Sequence, residues 1–456
     1  HMTVRRDGVR IEKYWALDAE REIRMKSDAE YAAAFREIFT EAVRCRLRSA
    51  FPVGSMLSGG LDSSSIVCVA RRLLAQNGGQ PLHTFSAGFD DVPEADERRY
   101  VEAVLAGGGV APHFVDATCL SPLVELDRLL AQQDEPFYAP NLFLHDAIHR
   151  AAAASGMRLV LDGLDGDTTV SHGLGYLHEL VRRGRWVQLA RHIKALGARL
   201  GRPVAPIWRG QVLAPFLPSM AHRAWASVRG RRAPGGVPFV RADFARRIQL
   251  AGRAAADRAR WCVPWLTERQ EHHCRLTTGL IPFVLEVADR SAAACGVEAR
   301  YPFFDKRLAE LCLAFPPGQK LRDGWTRFVL RRAMQDILPS DVTWRAGKAD
   351  LGPNFTRRLG GPLPPELAAA VLDRGAMIRE YVDGAAFEAL LPTPRGEAPP
   401  PDPMSAWRLV SLGRWLETNA QGSPITGGSR HEDEVSGPRD SGRARPPAHA
   451  SPVCEP

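Results

Sequence analysis

The rhythm of apolar and polar positions changes along this chain. Between residues 51 and 161, short apolar runs bounded by glycine, proline and polar residues alternate with longer stretches of helical period. Residues 51–57, 82–85, 113–115 and 158–161 read as strands; residues 66–74, a stretch from Glu94, 121–133 and 141–154 read as helices. Alternation at these intervals predicts βαβ units, and so an α/β fold whose mostly parallel sheet carries helices on both faces. Upstream, Ser27 with Glu30 three residues on is a capping-box signature, and Phe35, Ile38, Phe39, Ala42 and Val43 give the helix behind it one apolar face. Residues 3–6 and 9–15 read as short extended pieces around an Asp7-Gly8 turn. After about residue 177 the strand signals fade. Helical segments rich in alanine, leucine and arginine then run to about residue 420, interrupted by Pro203, Pro206 and the stretch 230–238. Residues 392–403 read as a proline-rich connector and 406–416, with Trp407 and Trp415, as a last helix. From Gln421 onward no apolar periodicity is left, and the expectation is a disordered tail.

With 456 residues, 45% of them hydrophobic and 25% charged, the chain can bury a sizeable core, which excludes a wholly disordered protein. No stretch approaches the roughly 18 consecutive apolar residues of a membrane helix, and no signal-peptide pattern opens the sequence. The 8 cysteines lie far apart without a CxxC or a zinc spacing, so reduced thiols in a cytoplasmic protein are expected, and no zinc. His272-His273-Cys274 does not change this, because adjacent residues on a helix point in different directions. Charge is uneven: residues 181–260 hold 18 lysines and arginines against Asp243 and Asp257, an excess larger than the +8 of the whole chain. Such a block suits a surface that docks a peptide or partner protein, a solvated arginine-rich face, or contact with nucleic acid or membrane. It contains no recognisable motif for reading nucleic acid.

Two loops carry the chemistry. Residues 58–65, Ser58-Gly59-Gly60-Leu61-Asp62-Ser63-Ser64-Ser65, follow an apolar strand and run into a helix. Glycines admit an oxyanion close to the backbone, N–H groups at the helix start point at it, and hydroxyls add donors. No GxxxxGK[ST] is present, so this is not a Walker A loop. A carboxylate such as Asp62 beside phosphates is repulsive unless a cation such as Mg²⁺ bridges them. The second loop, Asp162-Gly163-Leu164-Asp165-Gly166-Asp167, also follows an apolar strand, so a parallel sheet would bring both loops to the carboxyl edge where ligands bind. Asp62 and Asp167 could then share Mg²⁺.

These residues carry a resemblance. Ser58-Gly59-Gly60-Leu61-Asp62-Ser63-Ser64 resembles the SGGxDSS pyrophosphate loop of the ATP-pyrophosphatase superfamily, and the chain is similar to the synthetase domain of asparagine synthetases over roughly residues 12–420. His83-Thr84-Phe85-Ser86 resembles the family's adenine-side strand; Asp96-Glu97, Asp134-Glu135-Pro136 and Asp289 resemble further landmarks. Glu298-Ala299-Arg300-Tyr301-Pro302-Phe303-Phe304-Asp305 resembles its LEaRvPFLD segment, and Arg345 with Lys348 resembles its R-x-x-K segment. The resemblance implies an ATP-pyrophosphatase core of Rossmann-like type at 27–177, a helical, basic part of the synthetase domain at 178–420 and a tail at 421–456. It also implies that 1–26 is the remnant or junction of an N-terminal glutaminase-like domain. The implied chemistry uses ATP and Mg²⁺ to activate a carboxylate as an acyl-adenylate, which an amine then attacks. Ser58, Gly59, Gly60, Ser63, Ser64 and Gly163 would bind the nucleotide phosphates, and Phe85, Ser86 and Arg345 the rest of the nucleotide site. Asp62 and Asp167 would hold the metal. Lys348 would neutralise developing charge, and Glu298 would orient or deprotonate the amine.

The second loop departs from the family. Asparagine synthetases carry GEGSDE where this chain reads Gly163-Leu164-Asp165-Gly166-Asp167-Thr168, so both glutamates are replaced. A β-lactam-forming relative has a tyrosine where Leu164 stands, paired with the glutamate matching Glu298. The run Leu161-Asp162-Gly163-Leu164-Asp165-Gly166-Asp167-Thr168-Thr169-Val170-Ser171-His172-Gly173, together with Lys320-Leu321-Arg322-Asp323-Gly324-Trp325-Thr326-Arg327, resembles lasso peptide macrocyclases. That likeness implies closure of a macrolactam between an Asp or Glu side chain of a precursor peptide and its N-terminal amine, with His172 as proton shuttle. Its partners would be the precursor core peptide and companion leader-recognition and leader-peptidase proteins, for which the basic block is the expected docking surface. An asparagine synthetase or other small-molecule amide synthetase, and a non-catalytic scaffold, remain the alternatives.

Overall fold

In the computed structural model, the structure describes residues 1–76, 78–89, 92, 96–118, 120–137, 139, 141–213, 216, 239–261, 267–347, 378–384 and 403–422. Its centre is a five-stranded, wholly parallel sheet: β3 Val53–Met56, β4 Leu82–Gly88, β5 Val110–Asp116, β6 Leu159–Leu161 and β7 Glu298–Arg300, in the order β5-β4-β3-β6-β7. From β3 the chain steps outward through β4 to β5. It then returns to the other side of β3 for β6 and β7, so the winding reverses between β3 and β6. In an open parallel sheet that reversal leaves a crevice at the carboxyl ends of the two strands.

The strands form where the sequence is continuously apolar because both faces are covered. Along β6, Leu159 and Leu161 enter one buried cluster and Val160 another, as a two-residue side-chain period requires. On the first face lie helices α1 Asp28–Arg46 and α2 Leu61–Gln76, with the helices Lys306–Ala314 and Phe328–Met334. Helix α3, Arg98–Leu105, adds Val101 and Val104 to that core, and α4, Leu126–Gln133, packs on the second side. Helix α5, Leu142–Ala154, covers the other face with Ile148 and Ala152, and the helices Leu280–Ala294 and Pro403–Gly422 lie behind it through Val287 and Trp407. Phe35, Phe39 and Phe303 are fully buried, each worth about 1.5–3 kcal/mol of transfer free energy.

Beyond the one-turn helix α6, Gly166–Val170, helices α7 Gly175–Arg182 and α8 Trp186–Leu200 build a smaller apolar cluster with Ile207 and Val212. This is the described beginning of the basic block; residues 217–238 and 262–266 within and beside it lie outside the described residues. Of the expected connector over 392–403 and tail from Gln421, residues 392–402 and those beyond 422 also lie outside them, whereas Pro403, Gln421 and Gly422 belong to the helix Pro403–Gly422.

Three local expectations change. Ser27 caps α1 by accepting from Glu30 N, but the Glu30 carboxylate accepts from Lys26 N (3.0 Å), so the box is not reciprocal. The amino-terminal hairpin, β1 Met2–Arg5 with β2 Gly8–Ile11, turns one residue earlier than Asp7-Gly8 suggested. Strand β7 appears in the region read as helical. Three residues carry no periodic signal, and β7 takes its conformation from pairing with β6. No helix among the described residues is long and apolar enough to cross a membrane.

Candidate active site

Because β3 and β6 are neighbours, in register at Ser55 and Leu161, the two glycine-rich loops leave the sheet side by side. Their contact is close: a Cβ at Gly163 would lie 2.9 Å from Ser63 N, and one at Gly166 would lie 2.8 Å from Asp62 Cγ. Side chains there would push the loops apart.

The first loop is shaped by its own hydroxyls. Ser58 N donates to Ser63 Oγ (3.1 Å), the Ser58 and Ser63 hydroxyls share a hydrogen bond (3.0 Å), and Ser64 N donates to Gly60 O (3.1 Å). Ser64 Oγ is buried without a protein partner. A buried hydroxyl that finds no partner is uncommon. Gly59 has φ +71, and α3 presses against it, so the bend needs both the left-handed backbone and the missing side chain.

Arg327 pairs with the Asp62 carboxylate through one nitrogen, Nη1, which lies 2.8 and 2.7 Å from its two oxygens, and both side chains are mostly buried. Arg345 pairs with Glu97, donates to Gly59 O (3.4 Å) and lies 3.9 Å over the Tyr100 ring, tying the loop to the start of α3. Arg331 is buried and donates to Thr326 O, Thr343 O (2.6 Å) and Arg345 O (2.9 Å). Burial, with the Arg327 charge second, pulls its pKa down to about 9. Three guanidinium groups thus gather around a loop whose own carboxylate is already paired. That electrostatic arrangement favours an incoming polyanion.

In the second loop Leu164 N donates to Asp162 Oδ1 (3.0 Å), and His172 Nε2 stands 3.3 Å from Asp167 Oδ2. The Asp167 and His172 side chains are both part exposed at the loop edge. Among non-glycine residues with positive φ, Asp165, Ser171 and Arg327 all belong to these loops or to the residues gripping them. Strain of this kind costs about 1–3 kcal/mol per residue and clusters at functional sites.

The structure therefore brings together Ser58, Gly59, Gly60, Asp62, Ser63, Ser64, Gly163, Asp167, His172 and Arg345. It treats others differently. Phe85 is fully buried and stacked on His113 at 4.6 Å, and Ser86 Oγ donates to Leu57 O (2.6 Å), so both support β4 with their side chains. Glu298 is not brought to the loops. It opens β7 opposite Leu159, three residues before Asp162, which at 3.3 Å per residue is about 10 Å from the loop edge. Arg300 binds it in a fork (2.7 and 2.9 Å) and also reaches Arg46 O and Arg48 O at the entry side of the sheet. That Arg300 pair holds the Glu298 carboxyl below its usual pKa. Lys348 lies outside the described residues. Arg327 was missed as a site residue although its motif was noticed. A partner 265 positions away leaves no mark in one sequence.

The donor set suits Mg²⁺. Asp62 and Asp167 supply hard carboxylate oxygens, and Mg²⁺ is commonly held by one or two carboxylates with phosphate oxygens and water. Among the described residues no group of three or more His, Cys, Asp or Glu gathers as a metal cage, so the remaining ligands would come from substrate and solvent.

Comparison with known proteins gives the chain's relatives. The chain is 25% identical to asparagine synthetase [glutamine-hydrolyzing] 3 of Bacillus subtilis over 351 residues, covering 75% of this chain and 52% of that protein. It is 24% identical to a putative asparagine synthetase [glutamine-hydrolyzing] of Mycobacterium tuberculosis H37Rv over 339 residues, 72% of this chain and 47% of the other. With amidase chry2 of Gibberella zeae it shares 24% identity over 436 residues, 85% of this chain and 62% of the other. The chain thus spans about half the length of the asparagine synthetases it matches. Residues 34–417 match the asparagine synthase family, and the chain belongs to that family.

Proposed function

We propose that this chain is an ATP-dependent, AMP-forming amide synthetase that adenylates a carboxylate and passes the acyl group to an amine. The observation that carries the reading is the pair of loops at the β3/β6 crevice, with Asp62 against Gly166 and paired with Arg327. In this reading Ser58, Gly60, Ser63 and Ser64 donate to the pyrophosphate that leaves. Asp62 and Asp167 would hold Mg²⁺, which when bound screens the phosphate charge. Arg327 turns from Asp62 to the phosphates, and Arg345 keeps the loop closed on α3. Lys348 neutralises charge developing on phosphate and acyl oxygens, and His172 takes the proton that the amine sheds. Groups already aimed at that charge lower the barrier because they need not reorganise. Glu298 is given no role, since Arg300 holds it at the far end of β7.

For the carboxylate, the names of the relatives favour free aspartate or a similar small acid. A second reading is macrolactam closure on a precursor peptide, and Leu164 and Thr168 favour it. A loop without the family's two glutamates is poorly suited to ammonia, whereas a peptide's own N-terminus has an unperturbed pKa near 8 and is held next to its target by the chain. The basic block would then dock the peptide or companion proteins.

AMP and pyrophosphate release with Mg-ATP tests both readings. Aspartate with ammonium is compared with a linear peptide bearing a free N-terminus and an internal acidic residue. AMP with asparagine supports the small-acid reading. Peptide-dependent AMP with loss of one water from the peptide mass supports the second. Release unaffected by Asp62→Ala would remove the proposed site.

A further inference from the structure

Helix α6 carries Asp167 and is only five residues long, so most of its carbonyls have no acceptor role within it. Two of them are satisfied from elsewhere: Thr168 O and Thr169 O lie 3.0 and 3.1 Å from Nε2 of the buried His272. His272 Nδ1 is 2.9 Å from Lys320 Nζ. An ammonium group only donates, so Nδ1 must accept, and the ring proton sits on Nε2, facing the two carbonyls. Burial first, and the Lys320 charge second, keep this imidazole neutral. Lys320 Nζ also bonds Glu268 Oε2 at 2.7 Å; both side chains are 1% exposed. The other Glu268 oxygen accepts from Ser171 Oγ (2.8 Å), which accepts in turn from Gly173 N (3.1 Å).

The backbone that this network holds is strained. Ser171 sits at φ 67, ψ 138, close to a region almost reserved for glycine. Gly173 is pressed on the Lys320–Leu321 backbone, where a Cβ would lie 2.7 Å from Leu321 N. From Lys320 the chain makes a short hairpin, β8 Leu321–Arg322 with β9 Trp325–Thr326, and emerges at Arg327 on Asp62. One hairpin therefore braces both loops. Apolar side chains could fill this space at similar stability, since a buried ion pair rarely outperforms them. They could not hold two carbonyls and a hydroxyl in fixed directions.

We propose that Lys320, Glu268 and His272 are positioning residues that cap α6 and pin Ser171, and so set Asp167 to take up Mg²⁺ with ATP. This rests on the reading of Asp167 given above. The test measures thermal melting of the whole chain with and without ATP, titrating Mg²⁺, together with amide exchange over residues 168–173. Ser171→Gly relieves the positive φ but also removes the hydroxyl's bond to Glu268, two effects of similar size and opposite sign, so the melting temperature without ligand should move little, yet the variant should need about tenfold more Mg²⁺ for the ATP-dependent rise. His272→Leu should need at least as much, whereas His272→Gln, which can accept from Lys320 and donate to a carbonyl, should stay near wild type. Both weakened variants should exchange the loop amides faster. Ser171→Gly responding to Mg-ATP at the wild-type concentration, with its loop amides still protected, overturns the proposal. If His272→Leu fails to fold, Ser171→Gly decides alone. A wild-type chain that ignores Mg-ATP sinks the proposed function instead, and amide exchange still decides whether the network caps α6.

Discussion

Replacing Gly59 by alanine tests the geometry of the loop after β3 most directly. Two separate penalties apply. At φ +71 a residue with a Cβ loses about 1–2 kcal/mol relative to glycine. The added methyl would also lie 2.8 Å from Tyr100 Cβ and 3.1 Å from both Glu97 O and Val101 N. Two of those neighbours are backbone atoms at the start of α3 and cannot rotate away, so crowding adds about 1–3 kcal/mol. The sum is about 2–5 kcal/mol. Gly78 supplies the control: its φ is +62 but nothing lies within 4 Å of a Cβ, so Gly78→Ala carries only the backbone penalty. Gly60→Ala should be milder still, since the only neighbour is Ser58 Oγ at 3.3 Å. Urea unfolding of the three variants should rank them Gly59, Gly78, Gly60 in descending loss of stability. Where Gly59→Ala relieves itself by moving the loop, it breaks the Arg345 bond to Gly59 O, and the ATP-dependent rise in melting temperature should shrink. Stability equal to that of Gly78→Ala, with a full response to ATP, would refute the claim that the loop is seated on α3.

Other substitutions probe separate parts of the structure. Arg327→Gln leaves Asp62 unpaired beside the phosphate loop and should raise the ATP concentration needed for half-maximal thermal stabilisation by about tenfold or more, whereas an unchanged concentration would remove Arg327 from the site. Burial, and after it the neighbouring His145, bring the His149 pKa down to about 4. Between about pH 6.5 and 4 the unfolded chain alone takes up that proton, so stability falls on acidification across this window by about 3 kcal/mol. His149→Leu should flatten that slope in urea titrations at pH 7.5 and 5, and, because neither ring nitrogen has a protein partner, it should cost little at pH 7.5. Burial alone would raise the Asp305 pKa, but hydrogen bonds from Arg307 and Arg46 bring it down to about 2. Asp305→Asn should therefore lose about 1–2 kcal/mol at neutral pH, measured by urea unfolding, and the difference should close as pH falls from about 4 toward 2.

What the sequence disclosed and what it hid divide along physical lines. The strands of the first 161 residues and the loop after β3 were legible because their signals are local: apolar runs buried on both faces, then glycines, then hydroxyls. That both loops lie on one edge of the sheet followed too, since parallel strands end together; that β3 and β6 are neighbours did not, because strand order is set by long-range pairing. The position of Glu298 did not follow. A motif places a residue along the chain, but which end of a strand it occupies depends on where pairing begins, and a three-residue strand such as β7 has no period from which to read that. The hairpin that runs from Lys320 to Arg327 was recognised as a pattern without revealing its work, because its partners, Asp62, Glu268 and His272, are distant in sequence. Lys320 and Glu268 look like surface charges until packing removes water from both, and only then does their pairing become obligatory. The two glycine-rich loops are thus written locally, whereas the residues that aim them are set by the tertiary fold. Variants such as Ser171→Gly, which separate stability from ligand response, reach this second group; substitutions chosen from the motif alone do not.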